Sequence, residues 1–307
     1  MFKMALFEGG LHRADELEDL VDDLGGFLIQ KNVTQIDITL IIAVPGEDYE
    51  LVVKKAKDLR GKIVEVPLAG SEITIVAPSL GKHHLPHPVC DISEYIRRNG
   101  AVTNVMGLAR GVGQRINQIT ATEKGMIEEA DVAVYSLGNF SRCLMKKTHL
   151  FMDIDIPVVV LGGPAQFNIE GLDYYVGGIG RRSQRLRQKF DLDIFDAMVG
   201  EISKAVEKRR REIDEDPLIL EPIYLKKILE ENVEGIDKII SPIPIVLNVD
   251  GVKVKMPFAQ FKEKIKNVEF DGRKIEEYAN IYQSPYTGFT ILKIFTKSYF
   301  DSIKNNQ

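Results

Sequence analysis

The chain has 307 residues, a formal net charge of −5 at pH 7, 44% hydrophobic and 28% charged residues, and two cysteines. That length supports one large domain or two ordinary ones, and the acidic balance excludes a general nucleic-acid binder, whose footprint is basic. Two cysteines exclude a disulfide framework and suit a reducing compartment. MFKMALFEGGLHRADELEDL turns acidic too early for a secretory leader, and no apolar run approaches ~18 residues. The expectation is a cytoplasmic globular protein without a membrane span.

In chain order, MALF (4–7) is a short apolar run, followed by Leu17, Leu20, Val21 and Leu24 at helical spacing before the stop signal Gly25-Gly26. DITLIIAVP (37–45) reads as a buried strand, 47–61 as a helix ending at Gly61, and KIVEVPL and SEITIVAPS as two further strands. This βαβαββ order predicts a compact α/β unit over 1–80. A second series follows. DISEYIRRNG is a short helix closed by Gly100, and AVTNVMG (101–107) is a strand. GLARGVGQRINQ is a glycine-rich turn into a helical segment. DVAVYSLG (131–138) and IPVVVLGGP (156–164) are β-rich runs ending in glycine, with NFSRCLMKKTH between them. Such alternation predicts a mostly parallel, Rossmann-like sheet over 81–190, with ligands at the carboxyl ends of its strands.

Beyond Gly180, RRSQRLRQK (181–189) is strongly basic. The segment 194–213 is an amphipathic helix with Ile194, Met198, Ile202 and Val206 on one side, which EDPLILEP ends. IVLNVDGVKVKM (245–256) reads as a hairpin with Asp250-Gly251 in a type I′ turn. KEKIKN and KIEEYANIY read as helical, and GFTILKIFTK as a last strand. The expected fold class is α/β, a mostly parallel Rossmann-like sheet region with additional α+β elements at the N- and C-terminal parts. The expected units are 1–80, 81–190 and a helical and hairpin region over 191–307, packed as one or two compact domains.

Six of the seven Cys and His residues fall in two short windows. His83, His84, His87 and Cys90 lie in KHHLPHPVC (82–90), and Cys143 and His149 in NFSRCLMKKTHLF (139–151). Thiolate sulfur and imidazole nitrogen are the ligands zinc and iron–sulfur centres prefer. Two residues separate His87 from Cys90, and Pro86 and Pro88 stiffen that loop. Cys143 follows a strand-end glycine near a helix start, where backbone dipoles favour a thiolate. Neither window holds a CxxC pair, so structural zinc is disfavoured, and two cysteines fall short of the four thiolates of a cubane cluster. The competing reading makes the cysteines small hydrophobes and the histidines surface residues.

The glycine-rich turns carry less. GLARGVGQR supplies Gly107, Gly111 and Gly113, yet matches neither GxGxxG nor GxxxxGK[ST], so no ATP site of its own is expected. GGIGRRSQRLR sets Gly178 ahead of Arg181 and Arg182, which can present N–H groups and guanidinium groups to an anion; the alternative is a tight turn before a solvated basic helix. No GxSxG elbow or Cys-His-Asn pattern points to nucleophilic catalysis. Asp153 and Asp155 can serve acid–base work, but read first as marking a strand entrance.

With these residues in view, the chain resembles methanogenesis marker protein 7, a family of methane-metabolising archaea. The similarity runs full length and is densest through HHLPHPVCDISEYIRRNGAVTNVMGLARGVG (83–113), supported by PLAGSEI and THLFMDIDIPVVVLGGP. The resemblance implies an accessory role in the ATP-dependent reductive activation of methyl-coenzyme M reductase, helping to deliver low-potential electrons to its nickel cofactor. The implied partners are the reductase, the reductase-operon protein C, other methanogenesis marker proteins and an ABC-type ATPase component, with no nucleic acid and no membrane. The implied cofactor is a complex iron–sulfur cluster, the eight-iron nitrogenase-precursor type being one candidate, which a partner subunit can share. A preassembled cluster carries its own bridging sulfides and needs few protein anchors, so Cys90, Cys143, His83, His84, His87 and His149 become the ligand candidates. The chain is then an electron-transfer or scaffold subunit rather than a catalyst. The alternatives are a cofactor-free scaffold of the same assembly, or a nucleotide- or coenzyme-binding Rossmann-like enzyme using Gly107–Gly113.

Overall fold

The computed structural model describes residues 2–78, 89–108, 118–179, 189–241 and 243–305. It begins with β1 (Phe2–Gly10), α1 (Asp15–Asp23), β2 (Phe27–Val33), β3 (Asp37–Pro45), α2 (Tyr49–Asp58) and β4 (Lys62–Glu65). These strands form an antiparallel sheet in the order β2-β3-β1-β4, the ferredoxin-like βαββαβ arrangement. Alternation sends Ala5, Phe7, Ile38, Leu40, Ile42 and Val44 to one face, where they bury Leu17 and Val21 of α1 and Val52 and Ala56 of α2. The βαβαββ expectation omitted β2. That strand lies at the sheet edge with a bulge between Leu28 and Gln30, and three of its seven residues are exposed, so its alternation is broken.

The central sheet holds β5 (Glu72–Ala77), β6 (Val102–Gly107), β7 (Val132–Ser136), β8 (Val158–Leu161) and β9 (Tyr174–Val176). All its pairings are parallel, in the order β6-β5-β7-β8-β9. Every residue of β5 and β7 is buried, which is why both read as continuous apolar runs. On one face Ile73, Ile75, Val132, Val134, Val159 and Leu161 pack against α3 (Val89–Arg98) and α6 (Lys189–Glu215). On the other, Val76, Ala133, Tyr135 and Val160 meet Ile127 of α4 (Ala121–Glu128) and Leu144 of α5 (Ser141–Met145). The sheet is thus doubly wound, as the α/β expectation required. Strand β9 was not foreseen, nor was α4, although Thr120 and Glu123 form a full capping box at its start.

The last part contains α7 (Pro222–Asn232), β10 (Ile245–Asn248), β11 (Gly251–Pro257), α8 (Phe258–Lys266), the short pair β12 (Glu269–Phe270) and β13 (Arg273–Lys274), β14 (Ala279–Gln283), β15 (Phe289–Ile294) and α9 (Lys297–Asn305). Its antiparallel sheet runs β10-β11-β15-β14. Three readings are corrected here. Pro222, taken as part of a helix stop, opens α7 at the first helical position, where a missing N–H costs nothing. KIEEYANIY is a single 3-10 turn, Ile275–Glu277, followed by β14, because Ala279 and Ile281 bury in the sheet. The hairpin turn is Val249-Asp250, since Asn248 pairs with Gly251, and neither turn residue has the positive φ of a type I′ turn. Gly251 is instead needed because a Cβ there would collide with the Leu292 carbonyl oxygen of β15. Among the described residues no helix is long and apolar enough to cross a membrane.

A buried polar joint ties the C-terminal sheet to the amino ends of the central strands. Lys253 Nζ donates to Glu72 Oε2 at 2.7 Å and lies 3.5 Å from Glu129 Oε2. Glu72 Oε1 accepts from Asn104 Nδ2 at 2.7 Å. Asp131, just before β7, accepts from the backbone N–H of Glu72 at 2.8 Å and of Val249 at 3.0 Å. Burial pushes the Asp131 carboxyl up to about 6, against the attraction of Lys293. These bonds, and ion pairs from Asp250 to Lys293 and Arg209, hold the β10–β11 turn that the local sequence does not hold.

Candidate functional site

Counting from β5, the central strand order is 2-1-3-4-5, and the winding reverses between β5 and β7. The chain leaves β5 for α3 on one face and leaves β7 for α5 on the other. In open parallel sheets, ligands settle at the carboxyl edge of that reversal, where the diverging connections open a crevice. The two Cys/His windows are the connections that diverge here. Cys90 is the second residue of α3 and Cys143 the third of α5, and both are exposed. His149 is also exposed, in the 3-10 turn Thr148–Leu150 that follows α5. His83, His84 and His87, in the link from β5 to α3, lie outside the described residues.

The described ends of the glycine-rich turns lie at the same edge. Gly107 is the last residue of β6, and Gly111 and Gly113 lie outside the described residues. Gly178 follows β9 with a φ of 82°, a backbone conformation that suits glycine, while Arg181 and Arg182 lie outside the described residues. Among the described residues, the topology therefore brings Cys90, Gly107, Cys143 and Gly178 toward one edge of one sheet. Among the described residues no group of three or more His, Cys, Asp and Glu side chains converges as a metal site.

The Cys143 segment is rigidly seated. Leu137 N–H donates to Leu161 O at 2.9 Å, Gly163 N–H to Gly138 O at 3.2 Å, and Cys143 N–H to Phe140 O at 2.8 Å. Leu144 buries completely beneath the helix. Gly163 permits this seat, because a Cβ there would come within 2.6 Å of Asn139 Cα and 2.8 Å of Asn139 O. Gly163→Ala is accordingly expected to displace the 138–143 segment and cost about 1–3 kcal/mol. Urea titration and the alkylation rate of Cys143 should both change, whereas unaltered values would show that the loop can yield.

Two features escaped the sequence reading. Lys147 is half-buried beside Gly138 and Cys143, and its burial lowers the ammonium pKa against the pull of Cys143. The string KK carries no mark of that burial. The hydroxyls of Tyr135 and Ser136, at the end of β7, are buried with no hydrogen-bond partner among the described residues. An unsatisfied buried hydroxyl is costly, and this pair stands on β7, one of the two strands at the winding reversal. A cavity of about 450 Å³ lies elsewhere, between β2, α7 and β10.

A protein-family model described as methyl-coenzyme M reductase operon protein C matches residues 2–268. An uncharacterized protein of Methanocaldococcus jannaschii is 44% identical over 298 residues, spanning 97% of this chain and 95% of that protein. The methyl-coenzyme M reductase operon protein C of Methanosarcina barkeri is 28% identical over 131 residues, 40% of this chain and 61% of that protein. Among solved structures, formyltetrahydrofolate deformylases from Burkholderia mallei and Pseudomonas putida give TM-scores of 0.19 and 0.25 at 8% and 9% identity. The matches cover 44% of this chain and 59% of the first, and 83% of this chain and 84% of the second. Such loose superpositions transfer nothing. The family match spans most of the chain, from β1 into the C-terminal sheet, and on that ground the chain belongs to the methyl-coenzyme M reductase operon protein C family.

Proposed function

We propose that this chain is a marker-protein-7-type member of its family and an accessory subunit in the reductive activation of methyl-coenzyme M reductase, anchoring a complex iron–sulfur cluster. The observation that carries the reading is the placement of both cysteines on the two connections that diverge at the winding reversal. The donor chemistry fits: both thiols are exposed, and thiolate sulfur is the ligand such clusters take from proteins. When bound, the cluster would supply low-potential electrons. The chain's own part is to present sulfur at a closely packed strand edge and to keep the Cys143 segment in place. The resemblance named operon protein C as a partner, and the chain itself falls in that family, so the proposed assembly would pair relatives. A protein in this role would hold its cluster in the cytoplasm and leave ATP to an ABC-type partner.

Anaerobic purification of the assembled complex tests the reading. The wild-type complex is expected to be brown and iron-rich, and Cys90→Ala with Cys143→Ala to lose most of that iron. An iron content unchanged by the double replacement would sink the ligand assignment. Full assembly and electron delivery without either thiol would favour the cofactor-free scaffold.

A further inference from the structure

We propose that α5 and the residue before it form a docking ridge for an acidic protein face that covers the carboxyl edge of the central sheet. The inference rests on the reading above, that the chain works in an assembly with methyl-coenzyme M reductase, and it names where that contact is made. Phe140 is 71% exposed and Met145 57% exposed, although Leu144 between them is fully buried. A large aromatic side chain left in water beside a rigid loop is the form of an interface anchor, since aromatic residues, Met and Arg are the types enriched where proteins meet. Single exposed apolar residues are common, so charge has to decide.

It does. Between Phe140 and Met152 the segment carries Arg142, Lys146 and Lys147 and no carboxylate. Arg142 and Lys146 are exposed, and none of the three cations meets a carboxylate among the described residues. Several cations of two longer helices are paired instead. In α3, Arg97 and Arg98 both pair with Glu94, and in α6, Arg209 and Arg210 pair with Glu212 and Glu207. Against a chain of net charge −5, α5 is a locally positive ridge with two apolar knobs. The complement is a surface with carboxylates around an apolar recess. A membrane fits poorly, because an interfacial helix needs a long apolar face and α5 has five residues with its leucine turned inward. Nucleic acid fits poorly because the net charge repels a polyanion.

The ridge flanks Cys143, so a partner seated on it could add ligands to a shared cluster. The test measures binding of the full-length chain to purified methyl-coenzyme M reductase holoenzyme, at matched iron content and two salt concentrations. Arg142→Glu with Lys146→Glu is expected to weaken binding at least tenfold at low salt and to remove most of its salt dependence. Phe140→Ser is expected to weaken it at both salts. Lys54→Glu with Lys57→Glu, on the exposed side of α2, should leave it unchanged. Equal affinity in the α5 variants overturns the proposal, as does absence of wild-type binding or tighter binding to phosphatidylserine vesicles or single-stranded RNA. The iron readout stays separate. Loss of iron in the cysteine variants with α5-independent binding would leave the cluster reading standing and the docking ridge refuted.

Discussion

Lys253→Met should lower the unfolding free energy by about 3–5 kcal/mol, the range for removing one partner of a buried ion pair. The side chains of Lys253 and Glu72 are only 8% and 3% exposed, and Glu129 is 12% exposed. Methionine keeps the aliphatic volume but leaves Glu72 with only the amides of Asn104 and Asn248, and Glu129 with the hydroxyl of Ser284. Both carboxylates then lose their ion-pair partner, and the desolvation of buried Glu72 is no longer offset by it. The double variant Lys253→Met with Glu72→Met removes one of those charges and should regain a large part of the loss. Lys3→Met, which breaks the exposed pair with Glu65, should change stability by less than about 1 kcal/mol. Urea midpoints at pH 7 measure all three. A Lys253→Met loss as small as that of Lys3→Met would mean the joint is wet and weak.

The second large effect concerns pH. Burial raises the Asp131 carboxyl from 3.8 to about 6 in the folded chain. The folded state therefore holds this proton more tightly than the unfolded chain, and between those values it binds more protons. The contribution of Asp131 to stability is complete below about pH 4 and lost as pH rises through about 6. A shift of about two units corresponds to ~3 kcal/mol. Relative to Asp131→Asn, the wild-type protein should lose up to that amount between pH 4 and pH 7. The variant has its own cost, nearly independent of pH. Asp131 accepts N–H groups on both oxygens, and the amide nitrogen of Asn would face one of those donors. A constant difference between the two proteins across this pH range would show that Asp131 titrates like an ordinary surface carboxylate.

Much of the central sheet was legible locally. Strands β5 and β7 are buried on both faces, so burial wrote unbroken apolar runs, and Met198, Ile202 and Val206 mark the buried stripe of α6. The same signal failed wherever burial was partial. Edge strand β2 has a bulge, β14 resembles a helix in composition, and α7 hides behind a proline read as a stop. The β10–β11 turn was misplaced by two-residue reasoning, because Asp131 and a close carbonyl on β15 set its register. Ser136 and Lys147 carry no local mark of their burial.

The sequence alone determined that the chain is an α/β protein, that its rare thiols and imidazoles fall in two windows, and that each window follows a strand, because hydrophobic period and residue chemistry are local properties. Tertiary structure decided that these windows diverge at one winding reversal. It also decided that Glu72 and Lys253, 181 positions apart, share a buried pair. Strand order and the pairing of buried charges depend on which distant segments exclude water together, and no local spacing records that.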